Sequence, residues 1–480
     1  MAQGGQGARP RNVLRCLVRA KGGESRVLKW PISSDNRTTA PDVRPLRQNP
    51  DMSRRNRQKR AAKQKDRRRA SSRPGRPNTA PGYDRVAVLD HLIARLHHCA
   101  MCNEHDAESH AAELLDECRG WAHDLDVAAE GAMTAAIGGA WQAGWAPNDL
   151  HEFARRRLDA SGAGYLAEAI VLESRRYAVT SLHPRWRAEL AALSVDVVPC
   201  PPQMWGWASR HDVDHRAVLT VVLKVLRFLG TLPILEPLLP LPGAAQYAAV
   251  ATNEADAKAL SRVRGLLAKA EATEFTEEAE ALSAKAQELM SRYSLHHAIQ
   301  DHQRSGEAEA VARRIWRDSP HVMAKAALVQ SVATANRCRM VCGEKIGFVA
   351  VIGADCDVDF VELLSTSLLV QANRAMLAAG RGTNGRQTRT RSFRQSFLLS
   401  YAARIGERLT ATSATVATEM DCSALLPVLA ARSQATDDLT DRLFPATTLR
   451  EMSVSNGAGW LAGRTAADLA LLDVHRPIAG

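Results

Sequence analysis

The sequence has few aromatic residues and no long apolar run. Of its 480 residues, 45% are hydrophobic but 5% are aromatic, so a folded core must consist mainly of leucine, valine and alanine. No stretch of about 18 uncharged apolar residues occurs, and a membrane-spanning helix needs that length. We therefore expect no membrane contact. At roughly 100–200 residues per domain, the chain is long enough for two to four domains.

A secretory signal is also missing from the first residues. Met1–Gly23 is polar and contains no long apolar segment. The nine cysteines are an odd number, spread over a large chain. Free thiols in a large chain are typical of a reducing compartment. We therefore expect a cytoplasmic protein with reduced cysteines.

Acidic residues are scarce in the first part of the chain. Met1–Gly82 carries a net charge of +17, whereas the whole chain carries +11, so the remainder is mildly acidic at −6. A basic segment without a periodic apolar face is typically disordered and binds polyanions. We predict a disordered basic tail over residues 1–82. Its candidate nucleic-acid-binding residues are Arg54, Arg55, Arg57, Lys59, Arg60, Arg67, Arg68 and Arg69.

Met52 opens a second plausible N-terminus, Met-Ser-Arg-Arg. We expect translation of the native protein to start there, in which case residues 1–51 would be absent. We also expect the chain to remain folded without the tail, because the tail has no apolar face to bury.

Apolar periodicity predicts a mainly helical protein with a C-terminal α+β domain. Two amphipathic helices joined by a short turn predict a central αα-hairpin, and two apolar runs around Gly343-Glu344-Lys345 predict a β-hairpin. The predicted regions are an all-α region over 83–190, an irregular, proline-rich connector with one apolar helix over 191–255, the αα-hairpin over 256–300 and the α+β region over 315–472.

The αα-hairpin resembles the bacterial domain of unknown function 2786. The matching segments run from Lys258 to Glu271 and from Glu277 to Tyr293, and the second contains the motif Lys-Ala-Gln-Glu-Leu-Met. The resemblance implies that 322–409 is the α/β domain that commonly follows. The turn at 141–150 and the segment 459–472 look like features of actinobacterial members. The family has no established activity, so the resemblance implies an architecture and no reaction.

Cysteine and histidine cluster in the first helical region. Cys99 and Cys102 have the spacing of a zinc-binding pair, and His97, His98, His105 and His110 lie nearby. A structural zinc site usually needs a second such pair, which the sequence lacks. Ordinary helix and loop residues are the alternative interpretation. We predict no metal and no cofactor, and the candidates to examine are Cys99, Cys102 and His105.

Carboxylates cluster after the second predicted strand. Asp355, Asp357, Asp359 and Glu362 could bind Mg²⁺ or act as bases. The same spacing is produced by helix capping and by the preference of a helix start for negative charge. The candidate catalytic residues are Asp355, Asp357 and Glu362.

Arginines are densest, within the acidic part of the chain, between Arg381 and Arg394. Phe393 and Phe397 are interleaved with them, and arginine together with aromatic rings can bind phosphate and stack on bases. A solvated loop is the alternative, and the phenylalanines also fit the buried face of their own helix. The candidate nucleic-acid-binding residues here are Arg386, Arg389, Arg391 and Arg394.

The sequence is compatible with three classes of function. We expect a non-enzymatic protein that binds DNA or RNA without sequence preference, through its tail and the Arg381–Arg394 loop. An enzyme with an acidic site near Asp355–Glu362 is the first alternative. A protein-interaction module built on the hairpin is the second.

Overall fold

The computed structural model of the protein describes residues 14–19, 84–102, 106–193, 195, 200–247, 254–272, 276–305, 309–343, 346–382, 390–419 and 426–468. Most of the predicted basic tail, including every arginine and lysine named above from 54 to 69, lies outside these residues.

Helices dominate the described residues, and a small sheet lies mainly in the C-terminal part. The helices are α1 (Arg85–Met101), α2 (Ala107–Glu117), α3 (Ala122–Gln142), α4 (Pro147–Arg157), α5 (Ala160–Ser174), α6 (Pro184–Ala192), α7 (Gln203–Arg210), α8 (His215–Gly230), α9 (Glu254–Ala272), α10 (Thr276–Ser305), α11 (Val322–Ala335), α12 (Asp355–Gly382), α13 (Arg391–Glu419), α14 (Leu426–Leu443) and α15 (Gly457–Asp468). The strands are β1 (Leu14–Arg19), β2 (Val311–Trp316), β3 (Arg339–Gly343), β4 (Phe348–Gly353) and β5 (Thr447–Met452). The predicted fold class, mainly α with a C-terminal α+β domain, is confirmed. No helix in these ranges has the length and apolarity required to cross a membrane.

The described residues divide into two compact units. The helical unit holds residues 84–135 and 200–230, with α1, α2, most of α3, α7 and α8. The sheet unit holds the five strands and the remaining described residues. The expected connector over 191–255 therefore contains two helices, α7 and α8, that belong to the helical unit.

The helical unit is built around the apolar helix α8. Val218, Leu219 and Val222 of this helix are completely buried, and α1 and α2 pack against it. The start of α1 is fixed by Asp84, whose carboxylate accepts hydrogen bonds from the backbone N–H groups of Val86 and Ala87.

The sheet has the strand order β2-β4-β3-β1-β5. Strand β4 pairs antiparallel with β2 and with β3, so the predicted β-hairpin is confirmed. Strand β1 pairs parallel with β3 and antiparallel with β5. Helices α11, α12 and α13 bury a core against the strands that includes Met340, Cys342, Val349 and Val351.

The αα-hairpin is confirmed, with α9 and α10 as its two helices. Val263 and Leu267 of α9 and Ala286 and Met290 of α10 are buried in the common core. Val263, Leu267 and Ala286 belong to the apolar faces predicted from the sequence, whereas Met290 does not, and the short connection makes the two helices antiparallel neighbours.

Strand β1 changes the expectation for the N-terminal tail. The tail was predicted to lack regular structure, but Leu14–Arg19 forms a strand between β3 and β5. The short, mostly apolar run Leu-Arg-Cys-Leu-Val favours this pairing. The glycine, arginine and proline residues around it led instead to the prediction of disorder. Helix α14 and strand β5 were likewise not predicted from the sequence.

Close packing of α15 on α13 depends on two glycines. A Cβ atom at Gly463 would lie 2.2 Å from the carbonyl oxygen of Phe397, and one at Gly459 would lie 2.5 Å from that of Phe393. Such distances are shorter than atoms tolerate, so the two helices can approach this closely only because both positions lack a side chain.

Deletion of residues 1–51 should lower the thermal unfolding midpoint by several degrees, because it removes β1 and leaves β5 without its described partner strand. Deletion of residues 1–11 keeps β1 and is the control. Equal midpoints for the intact chain and both deletions would show that β1 contributes nothing, as the sequence alone suggested.

Replacement of Gly463 by alanine should destabilise the protein by about 1–3 kcal/mol, because the new methyl group overpacks the helix contact. Gly457→Ala in the same helix is the control, since nothing lies within 4 Å of a Cβ at that position. Urea unfolding of both variants tests this, and equal stability of the two would refute the packing argument.

Candidate functional site

Three of the four predicted acidic residues share one face of α12. Asp355, Asp359 and Glu362 are spaced i, i+4 and i+7, which places them above one another along the helix. Asp357 lies on the opposite face and is buried. The acidic cluster therefore divides into two separate environments.

The exposed face of the acidic cluster is neutralised by arginine. Arg313 of β2 donates hydrogen bonds to Asp355 (3.1 Å), to Glu362 (2.9 Å) and to Asp359. Arg185 of α6 lies 3.9 Å from Asp359 and 3.7 Å from Glu362. Burial alone would lower the pKa of Arg313, but the carboxylates of Asp359 and Glu362 outweigh it, so the pKa is raised. All three carboxylates are thus engaged in ion pairs.

Asp357 occupies a buried polar environment beneath the hairpin. Burial raises its pKa, which the Ser294 hydroxyl and the cationic side chains of Arg337, Arg432 and His297 oppose. The Asp357 side chain thus lies in the interior at the start of α12.

The second hairpin helix carries a buried polar row that was not predicted from the sequence. Gln287 and Ser291 are buried, and the Gln287 amide lies 3.4 Å from the Ser291 hydroxyl and 3.5 Å from the Asn336 side-chain oxygen. Polar residues recur here at i and i+4 inside an apolar helix face, and that spacing was the available signal.

A second buried ion pair fixes the turn between α3 and α4. Arg314 donates to Asp149 (2.6 Å) and to the Gly144 carbonyl (3.0 Å), and it also contacts the Glu236 carbonyl. Trp316 donates its indole N–H to Asp149 at 2.8 Å. Helix α4 begins at Pro147, and the preceding residue makes no side-chain cap. Asp149 is the partner of a buried arginine.

Glu189 lies beside this ion pair. Its carboxyl group accepts a hydrogen bond from the Asn148 backbone N–H at 3.2 Å, and Arg185 is 3.4 Å away. Burial, and secondly the charge of Asp149, raise the pKa of Glu189 to about 7. The group therefore exchanges its proton near neutral pH.

The candidate zinc residues form no metal centre among the residues described. Cys99 is buried in α1, Cys102 follows the helix, and His105 lies outside the described residues. Burial raises the pKa of the Cys99 thiol, which disfavours the thiolate that zinc requires. Over the described ranges, no group of three or more histidine, cysteine, aspartate or glutamate side chains is arranged to hold a metal ion.

The predicted arginine loop is described only in part. Arg386 and Arg389 lie outside the described residues, whereas Arg391 and Arg394 belong to the first turn of α13. Arg391 is exposed and Arg394 is half-buried. Phe393 and Phe397 are buried in the core, so the idea that these rings stack on bases is wrong.

A surface cavity of about 640 Å³ opens beside Arg391. Its walls include residues at the starts of two helices, Val322 of α11 and Arg391 of α13, together with His321 and Arg450. Glu451 is the single carboxylate among the lining residues. The cavity volume lies within the range of small-molecule sites.

The electrostatics of this cavity favour an anion. Helix starts carry partial positive charge, and neither α11 nor α13 has an acidic residue in its first turn. Burial, and then the charges of Arg391, Lys325 and Arg394, lower the pKa of His321. Three cationic side chains therefore act on His321 in addition to its burial.

Sequence reasoning identified Arg391 and Arg394 but missed His321 and Arg450. Arg450 lies on β5, a strand that was not predicted from the sequence, and it is far from Arg391 along the chain, so proximity in the sequence gave no signal. His321 has a left-handed backbone conformation with φ of 67°, which residue type alone does not predict.

The titration of Glu189 generates a prediction about stability. A carboxyl whose folded pKa lies above its ordinary value of 4.5 binds its proton more tightly in the folded state. Its contribution to the free energy of unfolding is therefore full below about pH 4.5 and falls as pH rises towards 7. We compare the free energy of unfolding of Glu189→Gln with that of the intact chain. The difference should favour the variant more at pH 8 than at pH 5, by on the order of 2 kcal/mol.

Urea unfolding at both pH values measures this difference, and Glu113→Gln, at an exposed glutamate, is the control. A gain that is the same at pH 5 and pH 8 would contradict the titration of Glu189.

Comparison with known proteins gives one match. A family profile described as "Protein of unknown function (DUF2786)" matches residues 258–297. Neither the curated proteins nor the solved structures gave a match to the chain. The matched residues run from the first turns of α9 to the last part of α10. Residues 258–297 of this chain are therefore a DUF2786 domain.

Proposed function

We propose that the protein is a non-enzymatic, cytoplasmic nucleic-acid-binding protein that contacts phosphate groups without reading sequence. The observation that supports this most is the cavity lined by Arg391, Arg450 and the starts of α11 and α13. Backbone N–H groups at helix starts and arginine guanidinium groups are the usual donors to phosphate.

Strand β1 supports a contribution from the basic N-terminal segment. It pairs with β5, and Arg450 and Met452, which line the cavity, lie opposite Cys16 and Leu14 in the register. Residues 14–19 belong to the segment 1–82, which carries a net charge of +17. Cations from the tail would add affinity through counterion release.

The ion pairs of the acidic cluster give no support to the enzymatic alternative. Asp355 and Glu362 contact Arg313, and Asp357 is buried. A carboxylate held by a guanidinium is a weak base, because the pairing stabilises its charged form.

We further propose that the α+β region after the hairpin is the companion domain that commonly follows this family's hairpin, and that the protein is bacterial and of the actinobacterial type. The order of the elements supports the companion domain, since α9 and α10 are followed by β2, α11, β3, β4, α12 and α13.

Removal of the cavity cations should weaken binding and reduce its salt dependence. For Arg391→Ala/Arg450→Ala, we expect a slope of log K against log salt that is shallower by about two for duplex DNA, since each lost phosphate contact removes about 0.9. Fluorescence anisotropy with a labelled duplex and a labelled single strand, at several salt concentrations, measures the slope.

Arg119→Ala/Arg442→Ala removes the same charge from exposed positions that do not line the cavity and is the control. The proposal fails if the intact chain binds neither nucleic acid. It also fails if the cavity variant and the control have the slope of the intact chain.

A further inference from the structure

The first helix of the DUF2786 domain carries a row of basic residues on its outer face. Lys258, Arg262 and Lys269 are exposed, and Gly265 lies between them. At 3.6 residues per turn, these four positions fall within about 60° around the helix axis. The buried residues Val263 and Leu267 lie on the opposite side. We call Lys258, Arg262, Gly265 and Lys269 the basic stripe.

Arg262 and Lys269 of the basic stripe are exposed. Over the described ranges, neither Arg262 nor Lys269 has an ion-pair partner. The carboxylate of Glu271 is turned away, towards α12, where it accepts a hydrogen bond from the Ser367 hydroxyl at 2.6 Å. Glu254 lies one turn before Lys258, so the stripe begins after this acidic residue.

Gly265 gives the stripe an open centre. Nothing lies within 4 Å of a Cβ built at this position, so no neighbour in the fold requires glycine there. Glycine weakens a helix interior, and an exposed glycine lets another backbone approach closely. Gly164 of α5 is equally open, so an open glycine does not by itself indicate a docking surface. Gly265 differs from Gly164 because basic residues lie on both sides of it.

We propose that the basic stripe is a docking surface for the phosphodiester backbone of nucleic acid. Charge complementarity identifies the occupant. Arg262 and Lys269, which are exposed and have no ion-pair partner among the described residues, lie along one line with the basic residue Lys258. No bulky apolar side chain lies between them. The stripe extends about 16 Å from Lys258 to Lys269, which corresponds to roughly five base pairs of B-form DNA. The inference shares its ligand with the function proposed above but depends on different residues.

The test compares variants of the full chain by their binding to a duplex DNA and to a single strand over a range of salt concentrations. For Arg262→Ala/Lys269→Ala, we expect a salt slope that is shallower by about two on the duplex. Arg264→Ala is the matched control, because this arginine is exposed on the same helix but lies away from the stripe by about a third of a turn. Its slope should be nearly that of the intact chain.

A second comparison uses Gly265→Gln, for which we expect two opposite effects. The thermal unfolding midpoint should rise by a degree or more, because glutamine forms helix better than glycine, while the affinity for nucleic acid should fall several-fold. Gly164→Gln should raise the midpoint without changing affinity.

The outcomes separate this inference from the function proposed above. If the Arg262→Ala/Lys269→Ala variant binds as the intact chain does, or if Arg264→Ala weakens binding as much per charge, the stripe is not the docking surface, whatever the cavity variants show. If the stripe variants weaken binding and Arg391→Ala/Arg450→Ala does not, the stripe stands and the cavity is excluded. If the intact chain binds no nucleic acid, both proposals are wrong.

Discussion

The buried arginines of β2 must be paired with charged or polar groups, and the packing of the sheet unit depends on these pairs. Arg314 has a side chain that is 1% exposed, and its charge is compensated by Asp149 together with the carbonyl groups of Gly144 and Glu236. Removing one partner of such a pair leaves an unpaired charge in the interior, which costs about 3–5 kcal/mol. This requirement holds the α3–α4 turn and the loop around Glu236 against the strand.

The same requirement explains the acidic cluster. Arg313 projects from the same strand as Arg314 but to the other face, and it forms ion pairs with Asp355, Asp359 and Glu362 of α12. Carboxylates that look catalytic in the sequence thus have a structural role. The cations proposed to meet a ligand lie elsewhere, at the cavity beside Arg391 and on the outer face of α9.

Elements with local signals could be predicted from the sequence. The hairpin followed from the spacing of Val263, Leu267 and Ala286, and the β3–β4 pair followed from two apolar runs around a turn. Strand β1 could not be predicted, because its pairing with β3 and β5 joins segments more than 300 residues apart. The partners of Asp355 and Asp149 were hidden for the same reason: an ion pair between distant residues leaves no periodic pattern. Of the four candidate arginines over 386–394, Arg391 and Arg394 are among the described residues. Their structural neighbours, His321 and Arg450, lie in elements far from them along the chain.

Amide hydrogen exchange of the full chain, with and without duplex DNA, tests most directly whether this protein binds nucleic acid through its outer cations. The account predicts slower exchange on DNA binding in α9 and in the first turns of α11 and α13, with no change at the start of α12. Unchanged exchange in α9, α11 and α13, or protection centred on the Asp355–Glu362 face, would contradict it.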